Sequence, residues 1–185
     1  MKRILTIAIA TILVFAVLTN IAGPLSLAAS AQVEESITST RQHYAQINRS
    51  AQKYKKVKQE LSGFSTEGGQ LIAYFDGPSV MKIAATFYGE SGKASEEYYY
   101  WDGKLIFVLR TDYRYNRPLS GKVVQTTLDR FYFSNDRLIR WIDESGKQVA
   151  SDTSEYQEKQ KDYLDSSKQF TEGARSKTTT IESKQ

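Results

Sequence analysis

The groups able to do chemistry in this chain are carboxylates. Glu96, Glu97, Asp112 and Asp129 lie within a stretch otherwise rich in Tyr, Phe, Val and Ile. Glycosidase-type hydrolysis needs two carboxyl groups across a cleft, one with a raised pKa. A register argument given below puts Glu96 and Asp129 on one face, so a hydrolase with a paired-carboxylate site is one reading. Strand-end carboxylates more often just reach solvent, and we assign no catalytic residue. His43 is the single histidine, and there is no cysteine. A zinc site or a Ser-His pair therefore has no support, and the expectation is no metal and no cofactor. Glu-Ser-Gly-Lys occurs twice, at residues 90–93 and 144–147. A phosphate loop needs a leading Gly at a fixed distance, a Ser or Thr after the Lys, and a helix behind it. Ala94 stands at the hydroxyl position, a strand pattern follows, and the second copy has no leading Gly. Both copies read as turns, with Gly at a positive-φ position.

These residues must be positioned by strands. Short runs of aromatic and β-branched residues alternate with turn residues from Gln70 to Val149. The expected strands are Leu71–Phe75, Val80–Tyr88, Ala94–Trp101, Leu105–Arg114, Val123–Ser134 and Leu138–Asp143. Connections this short force antiparallel neighbours, hence a six-stranded antiparallel meander. Residues 97–108 (EYYYWDGKLIFV) align without gaps on residues 130–141 (RFYFSNDRLIRW), which predicts two similar hairpins. On the N-terminal side, Ile37, Tyr44, Ile47, Ala51, Tyr54, Val57 and Leu61 have helical spacing, with Gly63 as the cap and Lys53, Lys55, Lys56 and Lys58 on the solvated face. On the C-terminal side, Tyr156, Tyr163, Leu164, Ser167 and Phe170 make a second helical stripe, with Asp152 and Glu155 as the capping pair. The fold expected is α+β: the six-stranded meander with both amphipathic helices on one face.

Regular two-residue turns at Asp102-Gly103 and Asn135-Asp136 assign the faces. Tyr98, Tyr100, Leu105, Phe107, Leu109, Phe131, Phe133, Leu138 and Ile142 form the greasier side, expected under the helices. Tyr99, Trp101, Arg110, Arg130, Tyr132 and Trp141 point the other way. Apolar bodies with polar or cationic tips suit a wet binding surface, and these six are the candidate ligand or partner contacts. Plain packing under a covering segment is the competing reading of the same cluster. The segment Arg110–Pro118 interleaves Arg110, Arg114 and Arg117 with Tyr113 and Tyr115, but Asp112 dilutes it, and nucleic acid is not the expected partner.

Lys2 and Arg3 precede an apolar run from Ile4 to Leu18, then Gly23-Pro24 and Ala29-Ser30-Ala31. That is the pattern of a signal peptide over residues 1–31, cleaved before Gln32. The expectation is an exported protein, periplasmic or extracellular, with no stable membrane insertion after cleavage. Losing Lys2 and Arg3 takes the formal net charge from +4 to +2, which demands no polyanionic partner. Without cysteine, stability must come from packing. Residues 32–170 suit a single domain, and 171–185 are polar and unpatterned, expected to be a disordered tail.

The string GGQLIAYFDG…KIAATFYGESGKASEEYYYWDGKLIFVL…RFYFSNDRLIRWID resembles a group of uncharacterised exported bacterial proteins. They share YGE-S/T-GK followed by EYYF-x-x-GKL-x-FV. The resemblance covers residues 63–163 and implies export but no activity. YYYWDGKL is also similar to the hairpins of MORN-type repeats, whose regular Gly spacing is missing here. The expected function is a non-enzymatic binding module for an envelope glycan or a protein partner. The alternatives are a structural or stress-related envelope protein with no ligand, and the hydrolase.

Overall fold

A computed structural model describes residues 24–176 and 178–183. The order is α1 (Pro24–Ser50), β1 (Lys55–Ser62), β2 (Gly69–Asp76), β3 (Ser79–Gly89), β4 (Gly92–Trp101), β5 (Lys104–Tyr115), β6 (Val123–Ser134), β7 (Arg137–Ile142), α2 (Ser154–Arg175) and β8 (Thr180–Glu182). The architecture is α+β, with one eight-stranded sheet in the order β7-β6-β5-β4-β3-β2-β1-β8. The meander β1 to β7 is antiparallel, and β8 joins β1 in parallel. Residues 1–23 of the expected signal peptide lie outside the described residues.

The six expected strands correspond to β2 to β7. Two further strands come from segments read otherwise. The first helix ends at Ser50, not near Gly63, and Lys55–Ser62 is β1. In β1 the buried or half-buried Val57, Gln59 and Leu61 alternate with exposed lysines and Glu60, a period of two that also satisfies helical spacing at its apolar positions. The C-terminal segment is not a disordered tail: α2 runs to Arg175, and Ile181 in β8 is buried. Gln59 ties these parts together. Its Nε2 donates to Gly173 O and Thr178 O, both at 2.8 Å.

The helices cover opposite faces, which corrects the expectation of one shared face. Under α2, Tyr156, Tyr163, Phe170 and Ala174 pack with Tyr98, Tyr100, Leu105, Val108, Phe131, Phe133, Leu138 and Trp141. Under α1, Ile37 and Ile47 pack with Tyr99, Phe107 and Tyr132. Both sides of these strands are apolar enough to need a cover, and a two-sided core takes one helix on each. The cap of α2 is Thr153, whose hydroxyl accepts from Tyr156 N at 3.2 Å, rather than Asp152.

Three hairpins share one device. Trp101 pairs with Lys104 and Tyr100 with Leu105, but Tyr99 then pairs with Phe107, leaving Ile106 as a bulge. Ile139 is passed over in the same way on β7, and Met81 on β3. Each bulge lies three residues after the second turn residue of Gly77-Pro78, Asp102-Gly103 or Asn135-Asp136. Positive φ at Asp102, Gly103, Asn135 and Asp136 gives the twist that two-residue hairpins favour. A bulge puts an extra residue on one strand and shifts the parity beyond it. Met81, Ile106 and Ile139 all pack into the α1-side cluster.

Candidate functional site

The bulges redistribute the six candidate contacts. Tyr99, Trp101, Arg130 and Tyr132 face α1, whereas Arg110 and Trp141 face α2. Tyr99 is fully buried, its ring 4.8 Å from that of Tyr44. Its hydroxyl donates to Glu97 Oε2 at 2.6 Å. Tyr132 is buried against Phe107, and the Trp101 ring stacks on His43 at 3.8 Å. Trp141 is buried on the other face, stacked on Phe131 at 5.2 Å. Arg130 lines a pocket of about 280 Å³ with Thr40, Arg41, Tyr44 and Leu128. The six do not form one surface, and α1 covers the side on which they were expected to stand open.

A wide concavity lies on the α2 face, where β3 to β6 run past the end of the helix's cover. It is a groove of about 670 Å³. Phe64 and Phe87 wall it on one side, and Phe170 closes its inner end. The Phe64 ring lies 5.4 Å from that of Phe170. The floor is built by register. Glu96 on β4 and Arg110 on β5 are direct cross-strand partners in one row, and Ala94, Asp112 and Thr127 form the next; Asp129, the partner of Arg110 on β6, lines the neighbouring pocket with Phe131 and Trp141.

Arg110 holds the floor together. Its Nη1 donates to Glu96 Oε1 at 2.8 Å, and its Nε and Nη2 donate to the two oxygens of Asp112 at 2.7 Å. The second Glu96 oxygen accepts from the buried Tyr98 hydroxyl at 2.6 Å. Burial works against the Arg110 charge, but the bonds to Asp112 and the two carboxylates outweigh it and hold its pKa above the ordinary value. Burial, together with the Glu96 carboxylate, pushes the Tyr98 and Tyr163 phenols well up, so both stay protonated. Asp129 is raised by burial first; its bond from Trp141 Nε1, at 2.8 Å, acts in the opposite sense, and Glu144 and Asp112 add to the rise.

Glu96 and Asp129 therefore do share a face, as the hydrolase reading required. Between them stands Arg110, and Glu96 is engaged through both of its oxygens. The floor is Arg110 held between the carboxylates of Glu96 and Asp112, a fixed charge arrangement suited to orienting the polar groups of a ligand. Among the described residues no group of three or more His, Asp or Glu side chains could hold a metal ion.

Sequence reasoning missed the groove because it assigned Arg110 to the opposite face. The signal that could have found it is the row spacing: Glu96, Arg110 and Asp129 pair only if one residue is skipped after Leu105. Both repeated turns lie as turns, for different reasons. Gly146 has φ +79°, in a loop where Asp143 Oδ1 accepts from Ser145 N, Ser145 Oγ and Lys147 N. Gly92 is not in the positive-φ region; a Cβ there would collide with the carbonyl oxygen of Tyr113. No protein-family model, curated protein or solved structure matches the chain.

Proposed function

We propose that the protein is an exported, non-enzymatic binding module whose ligand lies in the α2-face groove, and that the ligand is an envelope glycan. The groove itself carries this reading: an aromatic wall beside a floor of prearranged charges. Sugar rings present C–H faces that pack on aromatic side chains and hydroxyls that donate and accept at once. Arg110 and Arg114 line the groove with Glu96, Asp112 and Glu144, so its charge is close to balanced. A balanced site suits a polar ligand with little net charge better than a polyanion. Arg110 remains a ligand contact in this reading, now on the groove side.

Titration with soluble cell-wall saccharide fragments, followed by calorimetry, tests it. Phe64→Ala removes a part-exposed wall residue, and Asp112→Asn removes an acceptor while keeping the shape. Each is expected to weaken binding about tenfold or more, with an unchanged circular dichroism spectrum. Binding that survives both changes, or no binding by the parent protein, would sink the proposal.

A further inference from the structure

All four exposed large hydrophobic residues among the described residues lie at one end of the sheet: Tyr88 at the end of β3, and Leu119, Val123 and Val124 around the β5–β6 turn. Leu119 is 72% exposed and has φ +55°. A branched apolar residue pays a steric penalty there that Gly or Asn would not. The turn is braced as well. Leu119 N donates to Glu90 O at 2.8 Å, Tyr115 N to Ser91 O at 2.9 Å, and Asn116 N to Lys122 O at 3.0 Å. The chain thus presents an aliphatic side chain to solvent on a fixed support.

The surrounding charge selects the partner. Arg114, Arg117 and Lys122 are exposed at this tip, with Lys93 behind them, against the exposed Glu90 and Glu67 on the adjoining loops. A stable protein interface takes about 800 Å² per partner, more than a protruding turn with three aliphatic residues offers. Aliphatic side chains entering the acyl boundary, with cations left at headgroup level, match an anionic bilayer.

We infer that the β5–β6 turn docks the protein onto an anionic membrane surface, with Leu119, Val123 and Val124 entering the lipid and Arg114, Arg117 and Lys122 meeting the headgroups. This is peripheral contact by a turn: no helix among the described residues is long and apolar enough to cross a membrane.

The chain has no cysteine, so Leu119→Cys gives a unique site for an environment-sensitive fluorophore. Arg137→Cys, exposed at the opposite end of the sheet, is the control. With phosphatidylglycerol vesicles the label at 119 is expected to shift to the blue and the label at 137 to stay unchanged. The shift should fade with added salt and be absent with phosphatidylcholine vesicles. Replacing Arg117 and Lys122 together by Ala should weaken vesicle binding about twentyfold. An unshifted label at 119 while the protein co-sediments, an equal shift at 137, equal binding to neutral vesicles, or the same shift with soluble polyglutamate would each overturn the inference. So would a failure to co-sediment at all.

Discussion

Glu96-Glu97-Tyr98-Tyr99 is one motif serving two faces. Alternation sends Glu96 and Tyr98 to the α2 side and Glu97 and Tyr99 to the α1 side. On each side the tyrosine hydroxyl donates back to the glutamate two residues earlier, at 2.6 Å. Each carboxylate also has its cation, Arg110 for Glu96 and Lys82 for Glu97. Removing one member leaves a buried group without its partner. Tyr98→Phe is expected to lower stability by about 1–3 kcal/mol, read from urea unfolding. Arg110→Met should cost about 3 kcal/mol, the lower end for breaking a buried pair because Arg110 is itself part-exposed. Asp129 adds a pH dependence of defined sign. Its folded pKa is raised above 3.8, so its contribution is fully present below that value and is lost as pH rises through the folded pKa. Asp129→Asn keeps an acceptor for Trp141 and removes the titration. Parent and variant should have similar unfolding midpoints near pH 3, and the parent should fall behind as pH is raised toward about 7. A gap that widens toward acid would contradict the assignment.

At the scale of elements, the bulges explain how much was legible. Strands β2 to β7 announce themselves through turn chemistry and aromatic runs, and the hairpin echo is visible in the residues. A skipped residue is not, because Ile106, Ile139 and Met81 are as suited to a regular strand as to a bulge. The faces were therefore right on β4, next to the turn, and reversed on β5 from Phe107 onward and on β7 from Arg140 onward. The helix boundary failed for a related reason. Val57 and Leu61, four apart, fit both periods, and only the pairing with β2 selects the strand. The covering role of α1 is testable in the same terms. Ile47 is fully buried against the sheet, and Ile47→Ala should cost about 2–4 kcal/mol. It should speed amide exchange along α1 more than along α2, because the two helices pack on separate clusters. Equal acceleration in both would mean that the sheet transmits the loss as a unit.

For the whole molecule, the tight turns and the groove mouth are at opposite ends of one sheet. The tight turns at 77–78, 102–103 and 135–136 lie at one end; the groove mouth and the Leu119 turn lie at the other. A chain cut after Ser176 keeps every residue of the groove and loses β8. Ile181 is buried over Gly173, so this cut should lower Tm by several degrees, on the order of 2 °C or more for each kcal/mol lost. A tail without structure would leave Tm unchanged, and calorimetry of the two proteins decides. The β1–β8 pairing also sets an order of events during synthesis. Glu60 meets Thr180, 120 positions later, whereas β1 meets β2 within a few residues of its own end. A nascent chain can build the meander as it emerges, yet the outer rim of β1 stays bare until the far segment arrives, and in that interval the growing polypeptide is most open to a chaperone or to a stray strand of its neighbour.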